Sequence, residues 1–179
     1  WNRYPFKGRE LHGKTVLLLG YGRIGRMVAP LYAAFGCRVQ AIDIVPGRVP
    51  LELACDCDEG LARTDILSVH LPLDVTTTGF VDGAMLSRLP SRAIIVNTAR
   101  GEVIDQEALL AALEAGRLAG AALDVLWHEP EPLDAGLRAR AAALGDRLLL
   151  TAHIGGFTHE SLEAVENFIV DVFIDATGR

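Results

Sequence analysis

No stretch of the 179-residue sequence approaches the roughly 18 consecutive apolar residues that a membrane-spanning helix needs. There is no cluster of basic residues, and the formal net charge is −6, so a nucleic-acid partner is not expected. Cysteine is scarce. Cys37, Cys55 and Cys57 are an odd set with no histidine or cysteine cluster beside them, which excludes the common zinc spacings and argues against a disulfide scaffold. Reduced thiols in a cytoplasmic protein are the expectation, with no bound metal and no membrane. Aromatic residues make up only 6%, yet half of all residues are hydrophobic, which excludes a disordered or collagen-like chain. The first residues, "WNRYPFKGRE", lack both a starting Met and a hydrophobic signal core, and read as the interior of a longer chain. The length suits one domain with a good core, taken as residues 1–179.

What is present is a steady recurrence of apolar runs. They are "TVLLLG", "CRVQAI", "DILSVH", "AIIVN", "AGAALD" and "RLLLTA", starting at 15, 37, 65, 93, 119 and 147. Most are continuous rather than alternating, as in parallel strands covered on both faces. Their spacing leaves room for a crossover helix each time. Helical periodicity fills most gaps, in "RIGRMVAPLYAAF", "DQEALLAALEAG", "DAGLRARAAAL" and "THESLEAVENFIVDVFIDA". Asp105 is a candidate cap for the second, and Gly116 its stop. The segment 44–63 has two prolines and no clear period, and predicts irregular structure or one short helix. The expected fold is α/β: a Rossmann-like, doubly wound parallel sheet with helices on both faces.

The first strand runs into "GYGRIG", which places Gly20, Gly22 and Gly25 in G-x-G-x-x-G. The motif follows a strand, opens a helix, and precedes a second strand ending in Asp43, 18 residues beyond Gly25. In that setting Gly20 permits the tight turn, Gly22 the approach of a pyrophosphate, and Gly25 close helix packing. The helix N-terminus offers unpaired N–H groups to phosphate. Asp43 would accept from both ribose hydroxyls and repel a 2′-phosphate, which favours NAD over NADP as cofactor.

Polar residues collect where the other strands end. Arg100 follows "AIIVN", Asp124 ends "AGAALD" with Glu129 five residues on, and His153 follows "RLLLTA". A histidine or an acidic "HEPEP" alone also reads as ordinary structure. All four at one sheet edge, beside the glycine loop, fit hydride transfer to a carbonyl. His153 would supply the proton, Glu129 would stabilise the imidazolium, and Arg100 would grip a substrate carboxylate.

The segments "LHGKTVLLLGYGRIG", "HLPLDVTTTGFVD", "IIVNTARGEVIDQEAL", "GAALDVLWHEPEP" and "LLLTAHIGG" together resemble the D-isomer-specific 2-hydroxyacid dehydrogenases, in order and through nearly the whole chain. The resemblance implies that Arg100, Glu129 and His153 are the catalytic trio. It also implies cofactor contacts from Arg23 and Ile24 beside the glycines, and from Asp43. His70, Leu71, Pro72 and Thr76 would flank the adenosine and phosphates. Thr98, Ala99 and Arg100 would line the nicotinamide riboside, Asp124 would bind the carboxamide, and His153, Gly155 and Gly156 would lie close by. The implied partner is a small 2-oxo or 2-hydroxy acid; glyoxylate, hydroxypyruvate, phosphoglycerate-type and bulkier acids stay open. A homodimer is implied too, through a helix in the region of "GRELHGK" and the loops around "WHEPEP". Three departures stand out. Ala152 replaces a usual proline. The segment between Asp43 and Asp65 is short enough to lack a strand. The family's substrate domain lies mostly ahead of the residue where this sequence starts. The alternatives are an NAD-binding corepressor-like interaction protein of the same family, and a degenerate fragment that neither binds nor catalyses.

Overall fold

In the computed structural model, residues 7–177 are described; the first six residues of the "WNRYPFKGRE" segment and the last two of the chain lie outside them. Six strands form one parallel sheet: β1 (Thr15–Leu19), β2 (Arg38–Ile42), β3 (Ile66–Val69), β4 (Ile94–Asn97), β5 (Gly120–Leu123) and β6 (Leu148–Leu150). Their spatial order is β2-β1-β3-β4-β5-β6. The chain steps outward from β1 to β2, then crosses back to β3 and proceeds the other way. The loops leaving β1 and β3 therefore part from each other, which opens a crevice at the carboxyl end of the sheet.

Six helices accompany the strands: α1 (Arg23–Ala34), α2 (Cys57–Arg63), α3 (Gly83–Arg88), α4 (Gln106–Glu114), α5 (Ala135–Leu144) and α6 (His159–Thr177). The two faces of the sheet are unequal. Leu17, Leu19, Leu67, Ile95 and Leu123 pack on one side with Leu61, Leu86, Leu109, Leu113 and Leu144 from α2 to α5. Val16, Leu18 and Ile66 pack on the other with Ala29 of α1, and with Val28 and Tyr32 at its border. Over β4 and β6 that second face is open: Ile94 and Leu149 are exposed, and no residue of α6 is buried. Expected helices fall on both faces, but among the described residues α1 is the only helix with buried residues on its face, where Val49 and Leu53 also pack.

Segment 44–63 is irregular until α2, as its prolines predict. The strand expected to be missing there is reduced to one parallel bridge, Ala41 to Ala54, with Ala41 N–H donating to the Leu53 carbonyl at 2.8 Å. The helix expected around "GRELHGK" does not form. Residues 7–13 are a loop, closed by Lys14 N–H donating to the Leu11 carbonyl at 3.0 Å and by Gly13 at φ 76°. A left-handed glycine there starts the strand directly.

Candidate active site

Aspartate N-caps start α2, α3, α4 and α5: Asp56, Asp82, Asp105 and Asp134 each accept from backbone N–H groups of the first turn. Thr158 Oγ1 accepts from Ser161 N–H at the start of α6. The N-cap of α1 is Gly22, with no side-chain bond. The three glycines before and in α1 differ in what requires them. A Cβ on Gly20, at φ 97°, would stand 2.7 Å from the His70 carbonyl oxygen. One on Gly25 would stand 2.3 Å from the Gly20 carbonyl oxygen. Both are demanded by the chain's own packing. Gly22 has an ordinary φ of −76°, and a Cβ there would meet nothing within 4 Å. Nothing in the chain requires glycine at this position. A helix start bare of side chain leaves its N–H groups open to the approach of a phosphate.

Gly22 opens onto a cleft of about 590 Å³, lined also by Arg23, Ile24, Arg48, His70, Leu71, Pro72, Leu73, Thr98, Ala99 and Arg100. It draws on the ends of β1, β2, β3 and β4. At the end of β2, Asp43 is nearly buried. Its Oδ2 accepts from Tyr21 N–H at 2.8 Å, and its Oδ1 accepts from Val45 N–H at 2.8 Å. Arg48 NH1 lies 3.2 and 3.3 Å from the two oxygens. Burial alone would raise the pKa of this carboxyl; the bonds from Val45, Tyr21 and Arg48 outweigh it and hold the group below the ordinary range. His70 Nε2 sits 2.9 Å from Ser68 Oγ, and burial lowers the pKa of its ring. Thr76, expected against the adenosine or phosphates, lies outside the cleft lining. Its N–H and hydroxyl donate to Asp74 Oδ1 at 2.7 and 2.6 Å, closing a turn.

Arg100 is presented by a loop that Asn97 ties down. Asn97 is buried; its Oδ1 accepts from Ala99 N–H at 3.0 Å and its Nδ2 donates to the Arg100 carbonyl at 2.9 Å. The Arg100 guanidinium donates to the Ala99 carbonyl at 2.6 Å. Gly101 comes next, and a Cβ there would lie 2.1 Å from the Leu126 carbonyl carbon. Trp127 Nε1 donates to the Ile104 carbonyl at 2.6 Å. The Arg100 loop and the "LWHEP" loop are thus in backbone contact, which only glycine at 101 allows.

Glu129 and His153 meet directly. Glu129 Oε2 lies 2.6 Å from His153 Nδ1, and Oε1 accepts from Leu126 N–H at 2.7 Å. Glu129 is therefore fixed at one oxygen and offers the other to the imidazole. His153 adopts φ 54°, a left-handed conformation that costs a non-glycine residue about 1–3 kcal/mol where the surroundings must hold it. The holding group is Asp124. Its Oδ1 accepts from Thr151 Oγ1 and from Ile154 N–H at 2.9 Å, its Oδ2 accepts from Gly155 N–H at 2.8 Å, and its carbonyl accepts from His153 N–H at 2.8 Å. Burial opposes ionisation here too, but the Thr151, Gly155 and Ile154 bonds, with the nearby His153, keep the carboxyl below its usual range. Asp124, expected at a carboxamide, has its oxygens committed to the loop that carries His153. Beyond this loop a Cβ on Gly156 would meet nothing within 4 Å.

The trio is not gathered in one cavity. His153 and Glu129 line a second cavity of about 720 Å³ with Gln106, Trp127, Pro130 and Leu137, while Arg100 lines the Gly22 cleft. Sequence reasoning missed Arg48, Thr151 and the Gly101 contact. Among the described residues, no group of three or more His, Cys, Asp or Glu side chains could hold a metal ion, and no helix is long and apolar enough to cross a membrane.

Comparison with known proteins follows the same line. The family described as D-isomer specific 2-hydroxyacid dehydrogenase, NAD binding domain, matches residues 1–155. The D-3-phosphoglycerate dehydrogenase of Mycobacterium bovis is 40% identical over 166 residues, covering 90% of this chain and 30% of that one. The hydroxypyruvate reductase of Thermotoga maritima is 35% identical over 179 residues, covering 99% of this chain and 58% of that one. The crystal structure of D-lactate dehydrogenase from Aquifex aeolicus, complexed with NAD and lactic acid, superposes with a TM-score of 0.85 at 29% identity, covering 99% of this chain and 58% of that one. The chain thus spans about a third to three fifths of the relatives it matches. Each of these relatives carries the name of an oxidoreductase, and none that of a corepressor.

Proposed function

The chain belongs to the D-isomer specific 2-hydroxyacid dehydrogenase family, as its NAD-binding domain, and from that premise we propose that it serves an enzyme interconverting a 2-hydroxy acid and a 2-oxo acid. The observation that carries the cofactor site is Gly22, a glycine that nothing in the chain requires, at the uncapped start of α1 and at the mouth of the cleft. The pyrophosphate goes to the α1 N–H groups, the adenosine ribose to Asp43, and the nicotinamide side to Thr98, Ala99 and Arg100. When bound there, NADH would supply the hydride for the carbonyl carbon of the acid.

The remaining chemistry belongs to the chain. With Nδ1 turned to Glu129, His153 has Nε2 free to give a proton to the carbonyl oxygen. Glu129 holds the imidazole in that orientation through its 2.6 Å contact with Nδ1. Arg100 is a fixed cation at the same sheet edge and takes the substrate carboxylate in a bidentate grip. Asp124 acts one step back, as the positioning residue that holds the His153 loop in its left-handed turn. The acid's side chain is not assigned.

Two further parts of the proposal are a cytoplasmic setting, in which the three free cysteines stay reduced, and a homodimer. Exposed Leu11, within the "GRELHGK" loop, and Phe35 beside it would serve such an interface. Light scattering at micromolar concentration should give twice the 19.2 kDa chain mass, and a monomer mass would remove the dimer.

Gly22→Val tests the cofactor site. A Cβ there meets nothing within 4 Å and the φ is negative, so the variant should melt within a few degrees of the parent. It should lose NADH binding, followed by NADH fluorescence, by at least about a hundredfold, since the branched side chain stands where the pyrophosphate must approach. Undiminished binding in a folded Gly22→Val variant would show that the dinucleotide does not use this helix start.

A further inference from the structure

The end of β2 carries more than the acid expected there. Val45, Pro46, Gly47 and Arg48 form a tight turn, with Arg48 N–H donating to the Val45 carbonyl at 3.2 Å and Gly47 at φ 71°. Proline second and glycine third is the composition of a type II turn. The turn brings Arg48 back over Asp43. A carboxylate has about four lone-pair positions. Backbone N–H groups of Tyr21 and Val45 take one on each oxygen, and Arg48 NH1 spans the remaining side of both. A ribose diol that binds Asp43 has to use the positions Arg48 now occupies, because the backbone donors belong to the turns at the sheet edge and cannot leave. Arg48 can. Its side chain is about one-third exposed, against 5% for Asp43, and it lines the cleft at the level of Gly22 and His70.

We propose that Arg48 is a specificity-determining residue of the cofactor cleft: it competes with the ribose diol for Asp43, and once displaced it pairs with a 2′-phosphate, so it narrows the preference for NAD(H) over NADP(H) that Asp43 alone would impose. The inference rests on reading Asp43 as the ribose partner. Two effects add in one direction. For NAD(H), an ion pair must open before the diol can bind, which weakens affinity. For NADP(H), the phosphate would face an unscreened carboxylate were it not for a guanidinium within about one side-chain length, which offers two parallel N–H donors. Lysine at this position would supply charge without that fork. The pair is partly solvent-exposed, so the effect is moderate rather than absolute.

The experiment is a pair of titrations, NADH and NADPH, against the unmutated chain, Arg48→Gln and Asp43→Asn, followed by nucleotide fluorescence at low and at moderate salt. Arg48→Gln removes the charge at a surface position and keeps a polar stem, so folding is not at issue. The expected result is that Arg48→Gln binds NADH severalfold more tightly and NADPH more weakly, widening the ratio of the two dissociation constants by roughly tenfold, with the change shrinking as salt rises. Asp43→Asn should weaken NADH and bring the two nucleotides closer together. If Asp43→Asn weakens NADH while Arg48→Gln leaves the ratio within twofold, the role of Arg48 is overturned and the ribose assignment stands. If Asp43→Asn leaves NADH affinity unchanged, the ribose is not at Asp43 and both fall.

Discussion

Where the phosphate loop meets the sheet, β1 and β3 lie between two packed layers: Leu17, Leu18 and Leu67 have no exposed surface. At the far edge, Leu149 of β6 is 60% exposed and α6 has no buried residue at all. The same contrast holds for the polar groups. The Asp43 side chain is 5% exposed and fixed by two backbone donors, whereas the His153 and Glu129 side chains are 48% and 33% exposed. The cofactor half rests on a core in which each fully buried Leu is worth about 1.5–3 kcal/mol. The half proposed for proton transfer rests on hydrogen bonds, chiefly those that Asp124 accepts from the loop of His153. Binding a dinucleotide asks for a rigid turn and helix start, and these are complete. Reducing a carbonyl asks for water to be excluded while charge develops, and the exposed dyad does not exclude it.

The contrast can be sharpened from the chemical side first, in any form of the protein that turns over. His153→Ala should lose roughly a hundred- to ten-thousandfold in the rate of carbonyl reduction, with NADH affinity changed severalfold at most. Glu129→Gln should lose less, roughly ten- to a hundredfold, because it removes a charged hydrogen bond worth about 1.5–3 kcal/mol and leaves the acid itself. Steady-state kinetics beside NADH titration checks both. A Glu129→Gln variant as active as the parent would separate the dyad from the reaction.

Gly101→Ala probes the seam between the two loops. The new Cβ would sit 2.1 Å from the Leu126 carbonyl carbon, so backbone must move. The expected cost is about 1–3 kcal/mol, a fall of several degrees in melting temperature. NADH binding should survive, because Gly22 and Asp43 are held by other contacts. A melting temperature equal to the parent's would mean that the loops are not coupled there.

The sequence made the cofactor half legible because its signals are local. Continuous apolar runs marked all six strands to within a residue or two, and Asp105 and Gly116 bracketed α4 as its cap and stop. The α3 helix was missed, since six residues are too few to show a 3.6-residue period, although Asp82 caps it. Arg48 went unnoticed because its pairing with Asp43 depends on the "VPGR" turn folding back, in a segment whose prolines signalled only irregularity. Gly101 reads as an ordinary motif residue, and Asp124 as a ligand of the carboxamide. Their tasks, admitting Leu126 and clamping the His153 turn, arise from loops that are 25 to 31 residues apart in sequence and meet only in the fold. That Arg100 and His153 face different cavities follows from the course of the "LWHEPEP" loop, which no periodicity describes.

The most direct test puts both halves in one cuvette. The 179-residue chain is saturated with NADH, with saturation read from the nucleotide's fluorescence, and then given glyoxylate, hydroxypyruvate or pyruvate while NADH absorbance is followed. Saturable NADH binding is expected, with turnover far below one per second for each acid. Turnover of about one per second or faster, the ordinary range for enzymes, would contradict it, because His153, Glu129 and Arg100 as placed here would then suffice without any further cover over the cleft.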